Sequence, residues 1–193
     1  MQRQEEFPRI VFSIYFNGAA FEMTDRTNFA GYFHAKIQQD AEHIKLGFDG
    51  CAVVSGLIKG GIFGSGTERQ ARSAANTILE KVHRGHKITV NCYGHSRGAI
   101  SALFLAKLLG NFAKDQVEIN LVLADTVPGN FLWTSTVDVT AATLTNQTIN
   151  LTECKNLNHV LHLIPTSPLP DILCHAPLLP TFPSLTRVDT ELT

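Results

Sequence analysis

Lys87-Ile88-Thr89-Val90-Asn91-Cys92-Tyr93-Gly94-His95-Ser96-Arg97-Gly98-Ala99-Ile100 is the stretch that decides the fold. Ile88, Val90 and Cys92 alternate as residues of a buried strand do, and Ala99, Ala102, Leu103, Ala106 and Leu109 then recur at helical spacing. Between the two periods there is room only for a sharp turn, with Ser96 at its apex. Glycines flank the serine in Gly94-x-Ser96-x-Gly98 because bulky neighbours do not fit so tight a turn and the following helix must pack close behind it. Short G-x-S-x-G matches are frequent by chance, so the weight rests on the strand and helix on either side. Ser96 is the candidate nucleophile.

Outward from the elbow, strands and helices alternate. Arg9 to Phe16 reads as a first strand ending in the small-residue turn Asn17-Gly18-Ala19-Ala20, and about Asn28 to His43 as a helix. Cys51 to Leu57 reads as a second strand, followed by a glycine-dense loop from Gly60 to Gly66 and a helix that Thr67 caps, running to about His83 with Ala71, Ala75, Ile78, Leu79 and Val82 as its apolar stripe. After the elbow helix come strands at Glu118 to Ala124, His159 to Ile164 and Arg187 to Leu192. Thr134 to Thr152 shows no clear period, and Pro165 to Pro183 is too proline-rich for continuous regular structure. The alternation predicts an α/β fold, a mostly parallel sheet with helices on both faces, formed by one domain over residues 1–193. An ending directly after the last strand suits a domain cut from a longer chain that carries an additional domain.

Composition narrows the function classes. The 193 residues suffice for a continuous core without disulfides or metals, 44% are hydrophobic, 17% are charged, and the net charge is −1. Such a chain has no electrostatic pull towards nucleic acid. The polar start Met1 to Glu6 and the short apolar run Ile10 to Phe16 give neither a signal sequence nor an integral membrane segment, so synthesis in the cytoplasm is expected. Cys51, Cys92, Cys154 and Cys174 contain no C-x-x-C pair, and no metal or other cofactor is expected. Cys51 and Cys92 read as reduced and buried, Cys154 and Cys174 as the more exposed pair. The Gly60 to Gly66 loop lacks both the G-K-[ST] ending of a P-loop and the G-x-G-x-x-G spacing of a dinucleotide fold, and reads as a flexible loop at the mouth of the site.

A serine hydroxyl at neutral pH needs a base, and the base needs a carboxylate to orient it. In α/β-hydrolases these follow in the order serine, acid, histidine. Asp125 is the strongest acid candidate, since the strand after the elbow helix delivers it to the sheet edge that carries Ser96; Asp138 and Asp171 are alternatives. His83 and His86 precede the elbow, His95 sits beside Ser96 with its side chain expected to point away, and His159 and His162 lie within a strand. His175, in a loop, is the best-placed base. The oxyanion hole is expected from the N–H of Arg97 and from an N–H in the turn of Gly18, Ala19 and Ala20, with the Arg97 side chain bracing the elbow against a carboxylate.

Asn17-Gly18-Ala19 after the first strand, Gly94-His95-Ser96-Arg97-Gly98-Ala99 at the elbow and Asp125-Thr126-Val127 after the next strand together resemble the α/β-hydrolase family of bacterial type VI secretion lipase effectors. That family has a D-G-T turn, a G-F-S-R-G-A elbow and a D-T-V motif in this order, and the similarity spans about residues 9 to 128. Two positions depart from its pattern: Asn17 stands where the family has Asp, and His175 precedes Ala-Pro-Leu-Leu-Pro rather than an acidic, glycine-rich run. The resemblance implies a serine esterase or lipase acting on a lipid, phospholipid or other ester, and an effector delivered into another cell. The apolar segment Leu178 to Phe182 is then a candidate lining for an acyl pocket. A different reading keeps the hydrolase scaffold as a catalytically degenerate module for binding or anchoring.

Overall fold

The structure, a computed structural model, describes residues 8–51, 53, 66–127, 149–166 and 178–192. It is an α/β fold built on a six-stranded sheet in the order β2-β1-β3-β4-β5-β6, with every pairing parallel. The strands are β1 (Ile10–Phe16), β2 (His43–Phe48), β3 (Ile88–His95), β4 (Val117–Ala124), β5 (Leu157–Ile164) and β6 (Arg187–Leu192). Helices among the described residues are α1 (Phe29–Lys36), α2 (Thr67–His83) and α3 (Arg97–Leu109).

Period-2 alternation gives the sheet two unlike faces. One carries Ile10, Phe12, Ile14 and Phe16 of β1, Ile88, Val90 and Cys92 of β3, and Val117, Ile119, Leu121 and Leu123 of β4, all buried. Against it pack α2 through Ala71, Ala74, Ala75, Ile78 and Val82, and α3 through Ala99, Ala102, Leu103, Ala106 and Leu109. The alanines let the two helices lie close to each other and to the sheet, where larger side chains would hold them off. Alone among the described helices, α1 sits on the other face, where His34 meets the Tyr15 ring edge-on at 5.9 Å. This split follows from chain direction. From β1 the chain moves one way to β2, from β3 it moves the other way to β4, and right-handed crossovers then put the intervening helices on opposite faces.

Several local expectations need correction. The second strand is His43–Phe48, not Cys51 to Leu57, and the helix before it ends at Lys36. Ile44, Leu46 and Phe48 alternate as an edge strand with one covered face does, whereas the short apolar run from Cys51 carries no period that separates strand from helix; Cys51 itself is helical and buried. Thr67 is the first residue of α2 rather than its cap, which is Gly66 at φ 104°, a backbone conformation that favours glycine. Cys154 is buried, not exposed, with its thiol against Gly110. Leu178 and Phe182, named above as candidate lining for an acyl pocket, are partly buried and pack against the hydrophobic core. Cys174 and Gly60 to Ser65 lie outside the described residues.

His162 shares a face with Val160 and Leu123 and is buried, its Nε2 3.3 Å from the Thr126 Oγ1. Burial lowers its pKa from 6.5, and burial likewise lowers those of His34 and His95. Between the lowered folded value and the unfolded value the unfolded chain binds more protons, so stability is complete above pH 6.5 and is lost as pH falls through that window. The carboxylates of Asp25, Asp40 and Asp189, whose pKa values are lowered, act in the same direction but only below their ordinary value of 3.8. Thermal midpoints followed against pH should therefore decline below 6.5, and His162→Gln should flatten that decline; an unchanged slope in the variant would contradict the assignment.

Candidate functional site

The strand order reverses between β1 and β3: the chain proceeds outward from β1 on one side and from β3 on the other. In open α/β sheets the crevice beyond the carboxyl ends of such a pair is where ligands bind, because the following loops diverge to opposite faces. Here the turn after β1 holds Asn17, Gly18 and Ala19, and the turn after β3 holds Ser96.

Ser96 stands at the N-terminus of α3 with φ 53° and ψ −121°, a conformation costly for any residue with a Cβ. The surroundings enforce it. Its N–H donates to the Ala124 carbonyl at 2.8 Å, prolonging the β3–β4 ladder by one bond, and its own carbonyl accepts from Ala99 N–H at 3.0 Å, starting the helix. A Cβ on Gly94 would lie 2.6 Å from the Ala99 Cα, and one on Gly98 would strike the backbone carbonyls of Phe16 and Asn17. Both glycines of the motif are thus required by backbone contacts, and Gly98 presses α3 onto the end of β1.

One strand over, Asp125 follows Ala124, the residue paired with His95, so Ser96 and Asp125 occupy the same rung beyond the sheet. Asp125 has φ 48°, and its N–H donates to the Leu163 carbonyl at 2.9 Å. Among the described residues, Ser96 and Asp125 are the two non-glycine positions with positive φ. Strain of this kind persists only where the surrounding structure over-determines it, and it gathers at functional sites.

The residues expected to supply an oxyanion hole fall at the same edge. Asn17 N–H is used by the Phe48 carbonyl, at 3.1 Å, and cannot serve. The N–H groups of Gly18 and Ala19 have no acceptor among the described residues, and the Arg97 N–H lies in the first turn of α3, where no intrahelical carbonyl precedes it. Arg97 is itself buried. The Asn17 carboxamide is buried, and neither its nitrogen nor its oxygen has a hydrogen-bond partner among the described residues, a costly arrangement beside the elbow.

His95 does not point away from the site. Its ring lies 5.9 Å from that of Phe21 and so close to Gly18 that a Cβ there would approach Nδ1 within 2.6 Å, and it lines one cavity together with Asp125. Burial lowers its pKa while the Asp125 carboxylate raises it, burial prevailing, so the imidazole is held neutral. The strand period was the signal: residues 91, 93 and 95 share the face opposite the packed helices. His162 is packed in the interior against Thr126, and His159 pairs with Asp189 at 2.7 Å in mid-sheet; neither reaches the Ser96 rung. His175, Asp138 and Asp171 lie outside the described residues. No group of three His, Cys, Asp or Glu side chains among the described residues is arranged to hold a metal ion, and no described helix is long and apolar enough to cross a membrane.

The cavity has a volume of about 870 Å³ and runs along the sheet face that α1 only partly covers. Tyr93, Val122, Leu161 and Leu163 form its floor, Tyr15, Phe29 and Phe33 one side, and His95, Asp125 and Pro165 its end at the edge that carries Ser96. Reading the sequence for a nucleophile missed it, because its floor comes from three strands that only tertiary structure brings side by side.

No protein-family profile and no curated protein matches this chain. Among solved structures it is similar to an uncharacterized protein from Pseudomonas aeruginosa, with TM-score 0.52 and 14% identity over 98% of this chain. The likeness, at that identity, is one of fold, and the chain spans 41% of the length of that neighbour.

Proposed function

We propose that the chain is a serine hydrolase that cleaves carboxylic esters, of a lipid or phospholipid, through an acyl-enzyme on Ser96. The observation that carries this reading is the strained Ser96 backbone at the switch point, with Asp125 on the same rung and the N–H groups of Arg97, Gly18 and Ala19 beside it. A serine needed only for a turn gains nothing from φ 53°, where glycine would be less strained.

In this mechanism His175, assigned on sequence grounds, takes the proton from Ser96 Oγ as the oxygen attacks the ester carbonyl. Asp125 orients the imidazole and stabilises the imidazolium. Charge developing on the carbonyl oxygen is met by N–H groups that are already fixed and therefore cost no reorganisation. Collapse of the tetrahedral adduct expels the alcohol with the proton from His175, and water repeats the sequence to release the acid.

Labelling with a fluorophosphonate probe tests the reading without knowledge of the substrate. Wild type should label and Ser96→Ala should not; labelling that survives the substitution excludes Ser96 as nucleophile, and no labelling of wild type selects the degenerate binding module instead. Asp125→Asn should lower kcat by about 10⁴-fold by leaving the wrong histidine tautomer, and His175→Ala by a comparable factor, whereas His83→Ala, at the exposed end of α2, should leave activity near wild type.

The backbone strain gives a second, independent expectation. Ser96→Gly and Ser96→Ala should both be inactive, yet the glycine variant should be the more stable by about 1 kcal/mol, relief of the positive φ outweighing the added freedom of the unfolded chain. Equal denaturation midpoints for the two would show that the elbow stores no such strain.

A further inference from the structure

The sheet face opposite α2 and α3 is divided. In its amino-terminal half the strands present polar groups that satisfy one another: Lys114 Nζ donates to Asn158 Oδ1 at 2.7 Å, Asn158 Nδ2 to Asn120 Oδ1 at 3.0 Å, and Asn120 Nδ2 to Asn91 Oδ1 at 2.9 Å. Alongside this ladder Arg9 pairs with Glu118, and His159 with Asp189. In the carboxyl-terminal half the same strands present Tyr15, Tyr93, Val122, Leu161 and Leu163, with Phe29 and Phe33 of α1 rising at one side. Charged groups bound this apolar area laterally as well, Asp189 and Glu191 on β6 beside Leu161 and Leu163.

A helix covering a parallel sheet lies along the strands and needs apolar contact over most of their length. The asparagine ladder denies it that. An apolar area that ends in mid-sheet against satisfied polar groups, and that opens at its other end on Asp125 and His95, has the form of a ligand trough. Its volume, about 870 Å³, is in the range of small-molecule sites. It extends from Asn91, Asn120 and His159 to His95, Ala124 and Leu163, four residues of strand or roughly 13 Å at 3.3 Å per residue. Burial here pushes the Tyr93 hydroxyl up to about 12, as a poorly hydrated wall would.

We propose that this trough holds the hydrocarbon chain of the ester cleaved at Ser96, the chain lying along β3, β4 and β5 over Tyr93, Val122 and Leu161, with the asparagine ladder setting the longest chain accommodated. The proposal rests on the reading of Ser96 as nucleophile and adds where the acyl group goes. It places that group along the flank of the sheet and assigns specificity to Val122 and Leu161, which touch the chain and not the reacting atoms.

The test separates the two readings. Equilibrium binding of a fluorescent medium-chain fatty acid, dansylundecanoic acid, is measured with Ser96→Ala alone and with Val122→Trp, which fills the trough, or Leu161→Gln, which makes its floor polar; Glu118→Gln, in the polar half of the same face, is the control. Each trough variant should weaken binding by about tenfold or more, since each removes or replaces apolar burial, and the control should not. With Ser96 intact, Val122→Trp should cut kcat/KM for p-nitrophenyl decanoate by a similar factor and that for p-nitrophenyl acetate by far less. Trough-dependent binding with no hydrolysis of any ester would uphold the trough and remove the Ser96 reading. Hydrolysis with the same chain-length profile in the variants, or binding indifferent to them, would overturn the trough. So would a wild-type dimer that Val122→Trp disperses and that binds no fatty acid, since the face would then be a subunit contact.

Discussion

Everything at the sheet edge that carries Ser96 and Asp125 depends on how closely α3 approaches the ends of β1 and β3. Gly98 lies against the carbonyls of Phe16 and Asn17, and Gly94 against the Ala99 backbone, so the chain can pass from strand to helix only through a residue at positive φ. Ser96 occupies that position. The same approach buries the alanine-rich side of α3 on Ile88, Val90 and Cys92, and it sets the first turn of the helix against the end of β1. Core packing and site geometry are here one constraint, and a methyl group at either glycine would disturb both.

The sheet distributes the labour between its faces. One is closed by α2 and α3 and supplies the rigidity that holds strained backbone at Ser96 and Asp125. The other, carrying α1 among the described helices, has a polar half with an asparagine ladder and an apolar half that lines the cavity. Parallel sheets ordinarily hide both faces. The departure from that rule is local, and it falls next to the candidate catalytic residues.

Much of the fold was legible because its signals are local. Ile88, Val90 and Cys92 announce β3, the alanine and leucine positions announce α3, and Val117–Ala124 and Arg187–Leu192 lie within a residue of their expected bounds. Failures fell where local signals are ambiguous. Cys51 begins a short apolar run without a distinguishing period, and β2 lies between the expected helix end at His43 and Cys51, where His43 to Phe48 offers only three apolar positions. Cys154 lies in a polar stretch, and its burial comes from a distant contact with the end of α3 at Gly110.

The sequence alone determined the elbow: a tight turn between a strand and a helix can be read from two periodicities and two glycines, since each is a property of neighbouring residues. It also placed Asp125 at the end of a strand. Only the tertiary structure decided that β3 and β4 are adjacent, which sets Ser96 and Asp125 on one rung, that His95 turns towards Gly18 and Asp125, and that Tyr93, Val122 and Leu161 form one floor. Strand order is fixed by crossovers and by the packing of whole layers, so the neighbours of a side chain across the sheet are residues about thirty or more positions away that no local pattern identifies.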